Sequence, residues 1–412
     1  MEVELCRHAL DRVPLALIID DSTALVNLNY FFLRDRNWHR GGDQRWEDLP
    51  VVIPETFTRE WAEWCAAQGV RGKFSVVPCP AGVGRLDEGL PLFGQRQLES
   101  WLQMCQEVIT PNFDVTPEML THTYVLNRHT MQPLASRIWE QYEWSEFGED
   151  EEVEEYIALA CAILVRIGLT PQGVTSPGGF GGKCLPRYAR FVGAALRAVT
   201  GNATPYFFQR LVTEDTVIET PVWYADRNAA TAVGEIIACT HDRTGSWTGY
   251  GQVDADYYMT ADLRGGRLPA VIDAGSPCVL CSHWQGMYGL HDGDRRGFRT
   301  LQTVVARLRE RDRLGERTRW RRCSEIAHYA CVRALAALQV NGSQIELDLP
   351  LGTPELTLRL RGVPVERVQV DDVVLRPVGS RAAFASGTFY KERDDVLVAF
   401  DVAAGRTKVT VG

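Results

Sequence analysis

The chain has 412 residues, too many for one ordinary domain and comfortable for two of roughly 100–200 residues each. Its 45% hydrophobic and 24% charged residues are a soluble globular composition, which excludes disorder, collagen and coiled coil. A net charge of -9 excludes a dedicated nucleic-acid binder, because neutralising phosphates needs a basic surface.

The opening residues 1–14 lack the apolar core of a signal peptide. No apolar run approaches the ~20 residues that a membrane helix needs, the longest being Tyr156 to Val165. The expectation is a cytoplasmic protein without a membrane or nucleic-acid partner. The 11 cysteines, odd in number and scattered, fit reduced thiols. Cys278 and Cys281 stand three apart in a strand-like run and so on opposite faces, which argues against a shared zinc.

In chain order, strands are expected at Leu15–Ile19, Lys73–Val77, Phe113–Val115 (or just before His122), Gly173–Ser176, Pro205–Phe208, Glu235–Cys239 and Cys278–Ser282. Helical spacing lies between them, as in Phe57, Trp61, Trp64 and Cys65, and again from about Glu151 to Ile167. Strands alternating with helices imply parallel pairing in an α/β sheet or barrel. The arginine-dense stretch from Arg295 to Arg322 carries Leu301, Val304, Val305 and Leu308 at helical spacing. It reads as the solvated face of an amphipathic helix. After about Leu338 the period becomes two, in Ile345, Leu347 and Leu349, in Leu356, Leu358 and Leu360, and in Val396, Val398 and Phe400. Turns at Asn341-Gly342 and Ala404-Gly405 complete the signature of a small antiparallel β-sandwich over residues 338–412, after an α/β unit over 1–337.

The residues that follow the strands carry the chemistry, since α/β enzymes build sites where those loops converge. Asp20 and Asp21 end the first strand, and two adjacent buried carboxylates persist where a metal or a raised pKa relieves them. Thr116-Pro117 reads as a helix start, which would put Glu118 and His122 one turn apart and His129 further along the same face. His241 and Asp242 follow the sixth strand. His283, after the last strand, is placed as a general acid, and Trp284 beside it as a platform for a sugar ring. Trp38 and Trp46, in a polar loop, are candidates for a carbohydrate-facing rim, and Phe180 sits in a glycine-rich turn. No Walker sequence, dinucleotide fingerprint or Gly-x-Ser-x-Gly elbow is present.

The order of these pieces resembles the polysaccharide deacetylase family, the NodB-homology fold, over roughly residues 13–290. Asp20-Asp21, Thr121-His122-Thr123, Ser176-Pro177-Gly178-Gly179-Phe180-Gly181 and Cys281-Ser282-His283 stand where that family carries its motifs. The resemblance implies a distorted (β/α)7 barrel and metal-dependent amide or ester hydrolysis on a carbohydrate or glycoconjugate. In that mechanism Asp20 is the base, His283 the acid, and zinc or a similar divalent metal sits on Asp21, His122 and, as a weaker candidate, His129. Leu126 occupies the place of the second metal histidine and Ser176 that of an arginine that steadies the base. Two alternatives follow from these departures. One is a metal-independent glycoside hydrolase drawing paired carboxylates from Asp20, Asp21, Glu118 and Asp242. The other is a catalytically lapsed barrel that binds glycans or proteins.

Overall fold

The computed structural model describes residues 1–36, 39–40, 44–141, 144–290 and 293–412. The apolar runs become strands where expected: β1 (Val13–Asp20), β2 (Gly72–Ser75), β3 (Phe113–Thr116), β4 (Gly173–Thr175), β5 (Tyr206–Leu211), β6 (Thr231–Ala238) and β7 (Cys278–His283). β1 and β6 are buried along their whole length, the mark of strands covered on both faces.

These strands form two sheets rather than one closed ladder. One has the order β7-β1-β2-β3, all parallel, with Thr318–Trp320 beside the start of β1. The other has the order β4-β5-β6, also parallel, with Val222–Asp226 antiparallel at its edge. The sheets touch at two seams. At one, Glu118 bridges Thr175 in parallel sense and Thr175 donates its amide to the Pro117 carbonyl at 2.9 Å. At the other, the Cys239 amide reaches the Val279 carbonyl at 2.8 Å. Between the sheets, Ala16 and Ile18 of β1, Phe208 of β5, Ile236 of β6 and Val279 of β7 pack into one apolar cluster. Helices such as Glu55–Gln68, Asp150–Arg166, Leu185–Thr200 and Arg296–Arg311 cover the outside. The last of these buries Leu301, Val304, Val305 and Leu308, as its spacing predicts.

The C-terminal strands form two five-stranded sheets around Ile345, Leu347, Leu358, Leu360, Val398 and Phe400. The division at residue 337 misses one exchange, because the N-terminal strand Glu2–Leu5 pairs antiparallel with Thr353–Arg361 and so lies in the sandwich. The helix Cys323–Leu335 joins the units. Its Ile326 and Ala327 face the inter-sheet cluster, and its Tyr329 and Val332 enter the sandwich core. No helix among the described residues is long and apolar enough to cross a membrane.

Candidate active site

A cleft of about 600 Å³ opens at the carboxyl ends of the parallel strands. Asp20, Asp21, Glu118, His122, His241, Asp242 and His283 all line it. Neighbours along a strand normally point to opposite faces. Asp21 breaks that rule by adopting a left-handed backbone, with φ of 56°, directly after β1, so both aspartates face the cleft. The left-handed region is uncommon for non-glycine residues, with Asp among those that adopt it most readily.

Asp20 is fixed from below by Lys73, whose ammonium is fully buried. Lys73 Nζ donates to Asp20 Oδ1, to Thr175 Oγ1 at 2.7 Å and to Ser75 Oγ at 3.0 Å, which uses all three of its protons. Burial raises the Asp20 carboxyl to about 6, against the opposing pull of Lys73. Among the described residues its Oδ2 has only the Cys281 thiol, at 3.9 Å, and is the oxygen left for a substrate.

Asp21 behaves in the opposite sense. Burial would push it up, but His122 Nε2 at 2.8 Å and Asn29 Nδ2 at 3.0 Å hold its carboxyl down at about 2. His122 is also 3.5 Å from Glu118 Oε1, and Glu118 Oε2 accepts the Asp21 amide at 2.8 Å. Burial works against the His122 imidazolium, yet these two carboxylates raise its pKa well above the ordinary value. One donor atom from each of Asp21, Glu118 and His122 lies within 4.8 Å of the others. Two carboxylates and an imidazole are a donor set that suits zinc or a similar divalent ion.

The loop carrying His122 is not the expected helix. Residues 117–123 form an irregular turn in which Met119 has φ of 50° and His122 φ of 63°. Glu118 and His122 still meet, but because Glu140 holds the turn. Its buried carboxylate accepts the amides of Thr121 at 2.9 Å and His122 at 2.6 Å, and the Tyr156 hydroxyl. Without a continuing helix, His129 leaves this face. It is exposed in a turn capped by Asn127 Oδ1 and is not a ligand of the cluster. Leu126, at the place of a second histidine, is buried among apolar residues.

At the mouth, His283 Nδ1 is 2.8 Å from Asp242 Oδ2, and Thr244 donates to the other oxygen from its amide at 2.7 Å. Burial disfavours the imidazolium, but Asp242 and the nearby Asp21 raise His283 to about 9. The ring is 22% exposed, and among the described residues its Nε2 has no protein partner. It is therefore a protonated donor facing the cleft at neutral pH.

Three expected platforms are elsewhere. Trp284 is fully buried, with its ring 5.0 Å from that of Phe57 and 5.1 Å from that of Phe74, so it is core and not a sugar-stacking surface. Phe180 is likewise buried, against Tyr188 and Trp144. Trp46 is half-buried against Tyr30 and off the cleft, while Trp38 lies outside the described residues. The aromatic walls are instead Phe32, Phe208 and Trp247.

No family model and no curated protein matches the chain. Solved structures that it resembles include the Thermotoga maritima α-fucosidase in complex with a mechanism-based inhibitor, at 12% identity over 97% of this chain and 94% of that one, with a TM-score of 0.31. A debranching enzyme from Nostoc punctiforme shows 10% identity over 99% and 100% of the two chains, with a TM-score of 0.32. The cyclic α-maltosyl-(1→6)-maltose hydrolase of Arthrobacter globiformis shows 9% over 99% and 100%, with a TM-score of 0.36. These neighbours are glycoside hydrolases, not polysaccharide deacetylases, and the resemblance drawn from motif order is corrected accordingly. The residues agree with the correction. Where the deacetylase pattern needs a second histidine and an arginine, the chain has a core leucine and Ser176, whose hydroxyl bonds Tyr188 at 2.9 Å. Likenesses this faint carry no argument about activity, which rests on the cleft itself.

Proposed function

We propose that the protein is a glycoside hydrolase acting on a carbohydrate or glycoconjugate, with its two parallel sheets as halves of a distorted seven-stranded barrel. The observation that carries this reading is the convergence of four carboxyl groups and three histidines on one open cleft at the strand ends. His283, held by Asp242, gives its Nε2 proton to the departing glycosidic oxygen. A water hydroxyl adds to the anomeric carbon as that bond breaks, and the free oxygen of Asp20 takes the water's second proton. Asp21, kept ionised by His122 and Asn29, supplies negative charge beside the developing oxocarbenium centre.

The test is a panel of oligosaccharides and aryl glycosides, scored by release of reducing ends. Activity on at least one, with Asp20→Asn and His283→Asn each slowing it by roughly 10²–10⁴, is the expected result. Absence of turnover on the whole panel, or full activity in both variants, sinks the proposal.

A second reading concerns the cluster of Asp21, Glu118 and His122, whose donor chemistry suits a divalent cation. An ion held there supplies a Lewis acid, and it requires that the proton now between His122 and Asp21 be gone. Elemental analysis decides it. About one zinc or similar ion per chain, absent from His122→Asn, supports the reading, and metal-free protein unaffected by chelator removes it.

A further inference from the structure

A second cavity, of about 580 Å³, lies at the other end of the strands, between the α/β body and the sandwich. Pro14 at the start of β1, Thr204 just ahead of β5, the helix Cys323–Leu335 and the sandwich segment Thr353–Glu355 bound it. Its walls hold five arginines but only three carboxylates. Each carboxylate is already engaged, Glu219 by Arg7 at 3.3 Å, Glu325 by Arg71 at 3.1 Å and Glu355 by Arg319 at 3.0 Å and by Arg321.

The remaining arginines are different. Among the described residues Arg12 and Arg333 have no carboxylate partner, and Arg322 approaches only Asp114, at 4.0 Å. Arg12 is 7% exposed; among the described residues its one side-chain hydrogen bond runs from Nη2 to the Arg381 carbonyl at 2.6 Å, and its Nε has no partner. Among the described residues the Arg333 side chain donates to the Arg7 carbonyl at 3.3 Å, and its Nε is also unpartnered. Arg12 is the one of the three drawn out of water, Arg333 being half-buried and the Arg322 side chain 35% exposed, and a buried guanidinium without a bonded counter-charge is costly. An arriving anion offsets that cost, and the planar guanidinium fork matches the oxygens of a tetrahedral oxyanion in particular. The volume lies within the range of small-molecule sites, roughly 300–1,000 Å³, and leaves room for more than the anion alone.

We propose that this cavity binds a small phosphorylated metabolite, its phosphate held by Arg12, Arg322 and Arg333. The ligand would tie the two units together. Arg12 already bonds a sandwich carbonyl, and Arg333 stands on the helix whose Tyr329 and Val332 enter the sandwich core. The site is independent of the hydrolytic cleft and of what that cleft cleaves.

Calorimetric titration of the full chain with a hexose phosphate, inorganic phosphate and, at matched ionic strength, sodium chloride is the test. Saturable binding of the hexose phosphate, tighter than inorganic phosphate and absent with chloride, is expected. Arg333→Gln should weaken it about tenfold, while His283→Asn in the cleft leaves it unchanged. Arg12→Gln carries a risk of misfolding, so Arg322→Gln serves as the second variant. Equal affinity for inorganic phosphate and the ester would assign the site to the free ion and overturn the metabolite. No binding of either, or unchanged binding in both variants, overturns the proposal altogether.

Discussion

The floor of the cleft and the interior of the sandwich are equally withdrawn from water, yet they are built from opposite materials. The sandwich buries Ile345, Leu347, Leu358, Leu360, Val398 and Phe400, where each removed methylene contributes to folding. The floor buries Asp20, Asp21, Lys73, Glu118, His122 and Glu140, where each charge must be offset by a partner. The partners are supplied locally, with Lys73 under Asp20, His122 between Asp21 and Glu118, and Glu140 on the amides of the His122 turn. Folding alone gives no reason for such an arrangement. Asp21 and His122, both left-handed, place their side chains against one another on this floor at 2.8 Å.

The hardest strike on this contrast is Lys73→Met. It leaves Asp20 buried without its cation, and loss of one partner of a buried pair costs about 3–5 kcal/mol. Denaturant unfolding should show that loss, and adding Asp20→Asn should restore much of it without restoring turnover. A loss below about 1 kcal/mol would mean that the floor is wetter than its geometry implies. Leu358→Ala in the sandwich should cost about 3 kcal/mol through its cavity, yet kcat on any substrate of the cleft should hold. A parallel fall in kcat would show the two regions to be coupled. Glu140→Gln comes next, at about 1–3 kcal/mol, for a weakened acceptor on two amides. It should also slow turnover by releasing the His122 turn, which a purely structural residue would not do.

The contrast also explains what was legible in the sequence. The sandwich announces itself through period-two alternation, and β1 through β7 through apolar runs, because burial is written in residue type. Asp20, Asp21 and His283 were visible because they stand at strand ends. Lys73 was not, since a lysine in a strand run gives no sign of an aspartate 53 positions earlier. Glu140 sits in an aperiodic stretch whose closure onto the 121–122 amides only tertiary structure reveals. The helix expected from Thr116-Pro117 failed for a related reason: the Glu140 bonds stabilise an irregular turn that local propensity does not foresee. Trp284 misled in the other direction. Its ring, next to the candidate acid, turns inward to Phe57, Trp61 and Phe74.

The last test changes pH rather than a residue. His283 has its pKa raised to about 9 from the ordinary 6.5 by its place beside Asp242. As the proton donor it should sustain turnover up to about pH 9 and lose roughly tenfold per unit above that. The same shift has a sign for stability. A folded-state pKa above the unfolded one means that the Asp242–His283 contribution is fully present below about pH 6.5 and is lost as pH rises through about 9. His283→Asn should therefore shrink the alkaline loss across that window without abolishing it, because His122, whose pKa is also raised, contributes with the same sign, whereas Leu358→Ala should lower stability by the same amount at every pH, because nothing in the sandwich core titrates there. If the alkaline loss in His283→Asn is as large as in the unaltered protein, the imidazolium at the mouth contributes none of it, and the raised pKa assigned to His283 beside Asp242 is wrong.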